Sequence, residues 1–175
     1  MQWRHTSSPT KKKFKPTLSA PKIMCTVFWD RYGVLIVDYR PNGQKINARV
    51  YCDTLQRLRR AIQNKRRGLL SSGVVLLHDN SSPHTARQTT ALLQQFRWDI
   101  MDHPPCSPDF APSNYHLFLH IKRFLAGKQF HSGAEVKTTV NNWLQQQAVD
   151  FFDTGIQKLV TRYKCLDSAG DCAEK

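Results

Sequence analysis

Gly73-Val74-Val75-Leu76-Leu77-His78-Asp79-Asn80-Ser81-Ser82-Pro83-His84-Thr85-Ala86 sets the class of the fold. Gly73 interrupts the helical pattern before it. Val74 to Leu77 is a short continuous apolar run, the pattern of a strand buried on both faces in the centre of an α/β sheet. The run ends at His78-Asp79-Asn80. Ser82 is placed to cap a helix whose first position is Pro83, and that helix is expected to reach about Gln95. A strand followed by a helix puts Asp79 at the C-terminal sheet edge, where ligands and catalytic groups gather. A carboxylate there can hold a hard cation. A single Asp after a strand is equally the pattern of a turn or cap residue.

Upstream, Ile23 to Trp29 and Val34 to Tyr39 are apolar, β-rich runs around a turn at Asp30-Arg31-Tyr32-Gly33, which predicts a hairpin. From Asn47, Tyr51, Leu55, Leu58 and Ile62 form one apolar helical stripe. Arg49, Asp53, Arg60 and Arg67 fall on the opposite side, with Arg57, Arg59, Lys65 and Arg66 nearby. Downstream, Trp98 to Met101 is a weaker strand, followed by the proline-rich segment His103 to Pro112. Helices are expected from Asn114, over 132–147 and over 154–163, the last with a stripe of Ile156, Leu159, Val160 and Tyr163. The order hairpin, helix, strand, helix, strand, then helices predicts an α/β layered domain with a mixed sheet.

The chain has 175 residues, 40% hydrophobic and 10% aromatic, enough for one domain with its own core. No apolar run approaches the ~18 to 20 residues of a membrane helix, so no membrane partner is expected. Cys25, Cys52, Cys106, Cys165 and Cys172 are odd in number and lack C-x-x-C spacing, which disfavours a disulfide framework or zinc site. The charge is uneven. Residues 1–67 hold 16 Lys/Arg and 3 Asp/Glu, a net +13, whereas residues 68–175 hold 10 of each. Such asymmetry suits a polyanion, because each neutralised phosphate releases counterions. Lys11, Lys12, Lys13 and Lys15 lie in a basic loop or tail over 1–21, and Arg49, Arg57, Arg60 and Arg67 lie on the first helix. These eight are the candidate DNA-backbone contacts. No small-molecule substrate is indicated.

Two longer motifs carry a resemblance. His78 to Ala86 resembles the HDNAxPHxA signature of mariner-family transposases. His103-Pro104-Pro105-Cys106-Ser107-Pro108-Asp109-Phe110-Ala111-Pro112-Ser113-Asn114-Tyr115-His116-Leu117-Phe118 resembles that family's HPPYSPDLAPSDYHLF block. Ile23 to Asp30 looks like its strand ending in W-W-D, and Gly155-Ile156-Gln157-Lys158-Leu159 looks like its G-I-x-K-L. The resemblance covers essentially the whole chain and implies an RNase H-like (retroviral-integrase-like) mixed sheet flanked by helices. It also implies a truncated domain over 22–166 that lacks the first strand, followed by a frayed tail over 167–175.

Family members cut and join DNA with Mg²⁺ or Mn²⁺ held by three acidic residues. Asp79 matches the second of these. The third falls at Asn114, where an amide stands for the family's Asp. The first belongs to a segment that precedes the matched region. The resemblance therefore implies candidate catalytic and metal positions at Asp79 and Asn114, with the cation weakly held or absent. Two-metal chemistry needs several carboxylates converging on ions ~4 Å apart, and an amide offers only a neutral carbonyl oxygen. Asp30, Asp38 and Asp109 are the acids that could substitute. The expectation is a nuclear, transposase-derived DNA-binding domain without competent cleavage or strand transfer. The alternatives are an active nuclease or strand transferase completed by another chain, and a dimerisation module without DNA chemistry. A fusion of the same family to a SET-type histone methyltransferase is similar in carrying Asn at the third position, but nothing in this sequence resembles a SET domain.

Overall fold

The computed structural model describes residues 23–41, 43–105 and 107–167. The basic segment 1–21, including Lys11, Lys12, Lys13 and Lys15, and the tail from residue 168 lie outside the described residues.

Strands β1 (Cys25–Asp30) and β2 (Gly33–Tyr39) form the antiparallel hairpin expected from the two apolar runs. Gly33 turns the corner at a φ of 128°, a conformation that favours glycine. The register shifts between Phe28 and Trp29: Phe28 faces Ile36, while Trp29 faces Val34. Leu35 is the extra residue, so Leu35 and Ile36 both reach one core, whereas Val34 and Val37 reach another.

Helix α1 (Ala48–Lys65) begins where Asn47 accepts a hydrogen bond from the Val50 N–H, 2.9 Å away. Its stripe of Tyr51, Leu55, Leu58 and Ile62 is buried. It packs on one face of the hairpin with the short helix α2 (Leu69–Ser72), β3 (Val75–Leu76), α3 (Ser82–Thr85), α4 (Arg87–Phe96) and β4 (Asp99–Ile100). Leu35, Leu76, Leu93 and Trp98 fill this first core. A 3₁₀ turn (Pro108–Phe110) then leads into a π-helical turn (Ser113–Phe118) that runs on as α5 (Leu119–Leu125). Together with α6 (Gly133–Gln146), capped by Ser132, and α7 (Val149–Asp167), these cover the other hairpin face. Leu117, Ile121, Val140, Leu144 and Phe152 make the second core. The hairpin is therefore the layer buried on both sides.

Four expectations are corrected. The single mixed sheet is two two-stranded sheets, antiparallel β1–β2 and parallel β3–β4, because no strand among the described residues joins β1 to β3. Val74 and Leu76 are buried but Val75 is 66% exposed, so the run is buried on one face and not on both among the described residues. The helix expected from Ser82 breaks at Ala86, whose extended backbone (φ −61°, ψ 143°) separates α3 from α4. Ser81, not Ser82, precedes it. The last helix starts five residues earlier than expected, at Val149, and its buried stripe uses Phe152 and Leu159, leaving Val160 exposed. Among the described residues no helix is long and apolar enough to cross a membrane.

Candidate functional site

Asp79 lies three residues beyond Leu76, the end of β3, with its side chain 63% exposed. Its Oδ1 accepts the Ser81 N–H at 3.1 Å and lies 2.6 Å from His84 Nδ1. Burial would raise its pKa, but the hydrogen bonds from Ser81 and the neighbouring His84 outweigh that and hold the carboxyl below its usual value. Asp79 is thus an acid in a turn, facing solvent, and ionised.

The imidazoles behind it form a packed group that the sequence did not disclose. His78 and His84 stack with ring centroids 5.0 Å apart and planes within 6°. The Tyr51 hydroxyl lies 2.9 Å from His78 Nδ1, and its ring sits 4.0 Å from that of His84. Burial, reinforced by His84 and His103 and opposed by Asp79, drives the His78 pKa down to about 4. The one available signal was Tyr51 itself. A hydroxyl on an otherwise apolar stripe needs a polar partner when buried.

Asn80 Nδ2 donates to the His103 carbonyl at 2.9 Å and ties the end of β3 to the proline-rich segment. That segment delivers Asn114 at the start of the π turn, where its N–H donates to the Ala111 carbonyl. Single π turns often occur at functional sites. Asp79 and Asn114 line one cavity of about 820 Å³, together with His78, Ser81, His84 and His103. The two positions 35 residues apart in sequence are therefore brought to a common wall.

Donor chemistry does not complete a metal centre. Among the described residues no group of three or more His, Cys, Asp or Glu side chains converges to hold an ion. Asp79 supplies a carboxylate and Asn114 a neutral amide. None of the substitute acids lines this cavity. Asp30 is held by the Arg66 guanidinium at 2.7 and 2.9 Å. Asp38 is buried between Arg40 and Arg57. Asp109 lies in the 3₁₀ turn. Among the described residues, the side chains around Asp79 and Asn114 do not fit a two-metal centre.

The basic helix divides into two kinds of residue. Arg49, Arg60 and Arg67 are exposed. Arg57, also exposed, is at the same time engaged within the fold. It donates to both oxygens of Asp38 at 2.9 and 2.7 Å and to Thr54 Oγ1 at 3.1 Å. A buried carboxylate on β2 needs compensating charge, and α1 supplies it. Lys65 is similarly occupied, donating to the carbonyls of Val34 and Leu35.

The family model described as Transposase (partial DDE domain) matches residues 1–72. The mariner Mos1 transposase of Drosophila mauritiana is 35% identical over 169 residues, covering 95% of this chain and 49% of that protein. The crystal structure of the Mos1 catalytic domain superposes with a TM-score of 0.82 at 36% identity, covering 89% of this chain and 78% of that one. This chain belongs to the mariner transposase family. It matches the catalytic-domain region, and the RNase H-like class expected of it holds. The human histone-lysine N-methyltransferase SETMAR is 33% identical over 171 residues, covering 97% of this chain and 25% of that protein. The chain thus spans half or less of the length of these relatives. Solved Mos1 structures include the catalytic domain with Mg and with Mn, and a paired-end complex with the left transposon end.

Proposed function

We propose that this chain is a transposase-derived DNA-binding domain, acting in the nucleus, in which cleavage and strand transfer are silent. One observation carries the reading: the cavity wall that holds Asp79 also holds the third family position, and the pair offers one carboxylate. Two divalent cations beside one anion leave most of their charge uncompensated. Asp79 keeps a loose affinity for a single Mg²⁺ or Mn²⁺, in keeping with the Mg- and Mn-containing Mos1 catalytic domains.

DNA is the partner that the charge distribution favours. Arg49 and Arg60 on α1 and Arg67 in the turn after it are exposed basic residues, and Lys11, Lys12, Lys13 and Lys15 extend the positive sequence segment. The likeness to a Mos1 paired-end complex with a transposon end supports the same partner, and a second copy of the chain is consistent with paired ends. Contact is with phosphates and carries little base preference.

Incubating a labelled duplex with Mn²⁺ and the chain or its Asp79→Ala variant, with binding read in the same tubes, tests this. Salt-sensitive binding by both proteins without nicking is expected. Nicking that disappears in Asp79→Ala would show that an additional acid completes the centre and would overturn the proposal.

A further inference from the structure

We infer that the tip of the hairpin is a contact site for single-stranded DNA, with the Tyr32 ring as a stacking platform for an unpaired base and Arg31 and Arg66 as its cationic flanks. The inference rests on the proposed DNA binding and deepens it, by naming a site and the form of the strand that it takes. An exposed aromatic ring alone signifies little. Tyr32 is 59% exposed and also lies beneath two guanidinium groups, with Arg31 Cζ 5.5 Å and Arg66 Cζ 5.6 Å from its ring centroid.

The turn holds this ring in place before any ligand arrives. The Tyr32 N–H donates to Asp30 Oδ1 at 2.9 Å, and the Arg66 guanidinium donates to both oxygens of that carboxylate at 2.7 and 2.9 Å. Arg31 is held less firmly. Its side chain is 53% exposed, and its ion pair with Asp153, at 3.0 Å, is open to solvent. Exposed pairs of this kind contribute little, so a phosphate can take Arg31 from Asp153 while Arg66 stays with Asp30. Lys65 and Arg67, both exposed, flank Arg66 in sequence. Four cations thus meet two acids, Asp30 and Asp153, at this end of the molecule.

Ring and cations together select the partner. Stacking on an aromatic side chain needs a free base face. Along a duplex the bases cover one another, whereas an unpaired base offers its face beside its own phosphates. An acidic peptide would answer the cations and leave the ring unused. The site is also remote from the Asp79 wall. Tyr51, in the first turn of α1, reaches His78 at 2.9 Å, whereas Arg66, just past the last turn, holds Asp30. The helix between them spans roughly 20 Å, at about 1.5 Å per residue.

The test uses the full chain and three labelled probes: an oligothymidylate of about twelve nucleotides, an abasic strand of the same length, and a blunt duplex. Fluorescence anisotropy reads the affinities. Tyr32→Ala should weaken binding of the oligothymidylate about tenfold, whereas Tyr32→Trp, which keeps an aromatic face, should retain it. Tyr32→Ala should leave the affinities for the abasic strand and the duplex unchanged, because both offer phosphates without free base faces along their length. Arg31→Ala should lower the salt slope for the oligothymidylate by about 0.7, and Tyr32→Ala should not change that slope. The inference alone is overturned if Tyr32→Ala binds the oligothymidylate as the parent chain does, if Tyr32→Trp is as weak as Tyr32→Ala, or if the loss is equal on all three probes. Failure of the parent chain to bind any probe would overturn the DNA-binding reading and this inference with it. Tyr32-dependent binding of the oligothymidylate without duplex binding would uphold the inference and remove only the duplex contact.

Discussion

At Gly155 in α7 the packing leaves no room for a side chain. An added Cβ would stand 2.6 Å from His116 Cδ2 and 2.9 Å from Trp29 Cη2. His116 cannot retreat easily, because its Nε2 donates to the Phe151 carbonyl at 2.8 Å and the residue is buried. Gly155→Ala should therefore cost about 1–3 kcal/mol, read from urea unfolding, with the slope m unchanged. The buried imidazoles also set a pH dependence. Burial lowers the pKa of His116 and takes that of His78 to about 4. In the unfolded chain both take up a proton near pH 6.5, while the folded chain resists. Stability should fall as pH drops from about 6.5 toward about 4, seen as a declining Tm. Loss of the depressed carboxylates Asp38 and Asp79 at still lower pH acts in the same direction. A Tm that is flat or rises on acidification through this window would contradict neutral, buried imidazoles.

Within α1, residues of like charge do different work. Arg57, though partly exposed, is bound to Asp38, whereas no such acid holds Arg49 and Arg60 on α1 or Arg67 just beyond its end, and all three are exposed. Asp38→Ala would leave Arg40 and Arg57 without their shared carboxylate and should destabilise by about 2–4 kcal/mol, measured by denaturant titration. Replacing Arg49, Arg60 and Arg67 together by Ala should hardly move the unfolding midpoint. It should weaken duplex binding and reduce the salt slope by about 1 for each phosphate that is no longer neutralised. Equal salt slopes for this variant and the parent chain would remove the α1 face from the DNA interface. The sequence pattern located the helix, its Asn47 cap and its apolar stripe because all three follow from local periodicity. It could not separate the two kinds of arginine, because the separation depends on which side of α1 meets the acid on β2.

For the whole molecule, the hairpin is the layer between two cores, and the β3–β4 pair stands apart from it. The sequence order suggested one sheet, since a sheet is the simplest way to bury several β-rich runs. Pairing across the gap, however, needs a strand that the described residues do not supply. The same incompleteness governs chemistry. Asn114→Asp would restore one anion on the cavity wall but still leave fewer than three carboxylates there. No metal-dependent nicking is expected from that variant in the duplex assay with Mn²⁺. Nicking by Asn114→Asp alone would mean that two acids suffice.

The sequence by itself determined the hairpin and the amphipathic helices, because these depend on spacing and residue type along the chain, and its family motifs, by resemblance, pointed to the candidate pair Asp79 and Asn114. Only the tertiary structure decided that Asp79 and Asn114 share a cavity, that Tyr51 and His84 pack around the acid, that Arg57 is bound to Asp38, and that the hairpin and the β3–β4 pair do not join among the described residues. Each of these is a relation between elements distant in sequence. Local propensity does not encode their direction, because the layering of the two cores sets which faces meet.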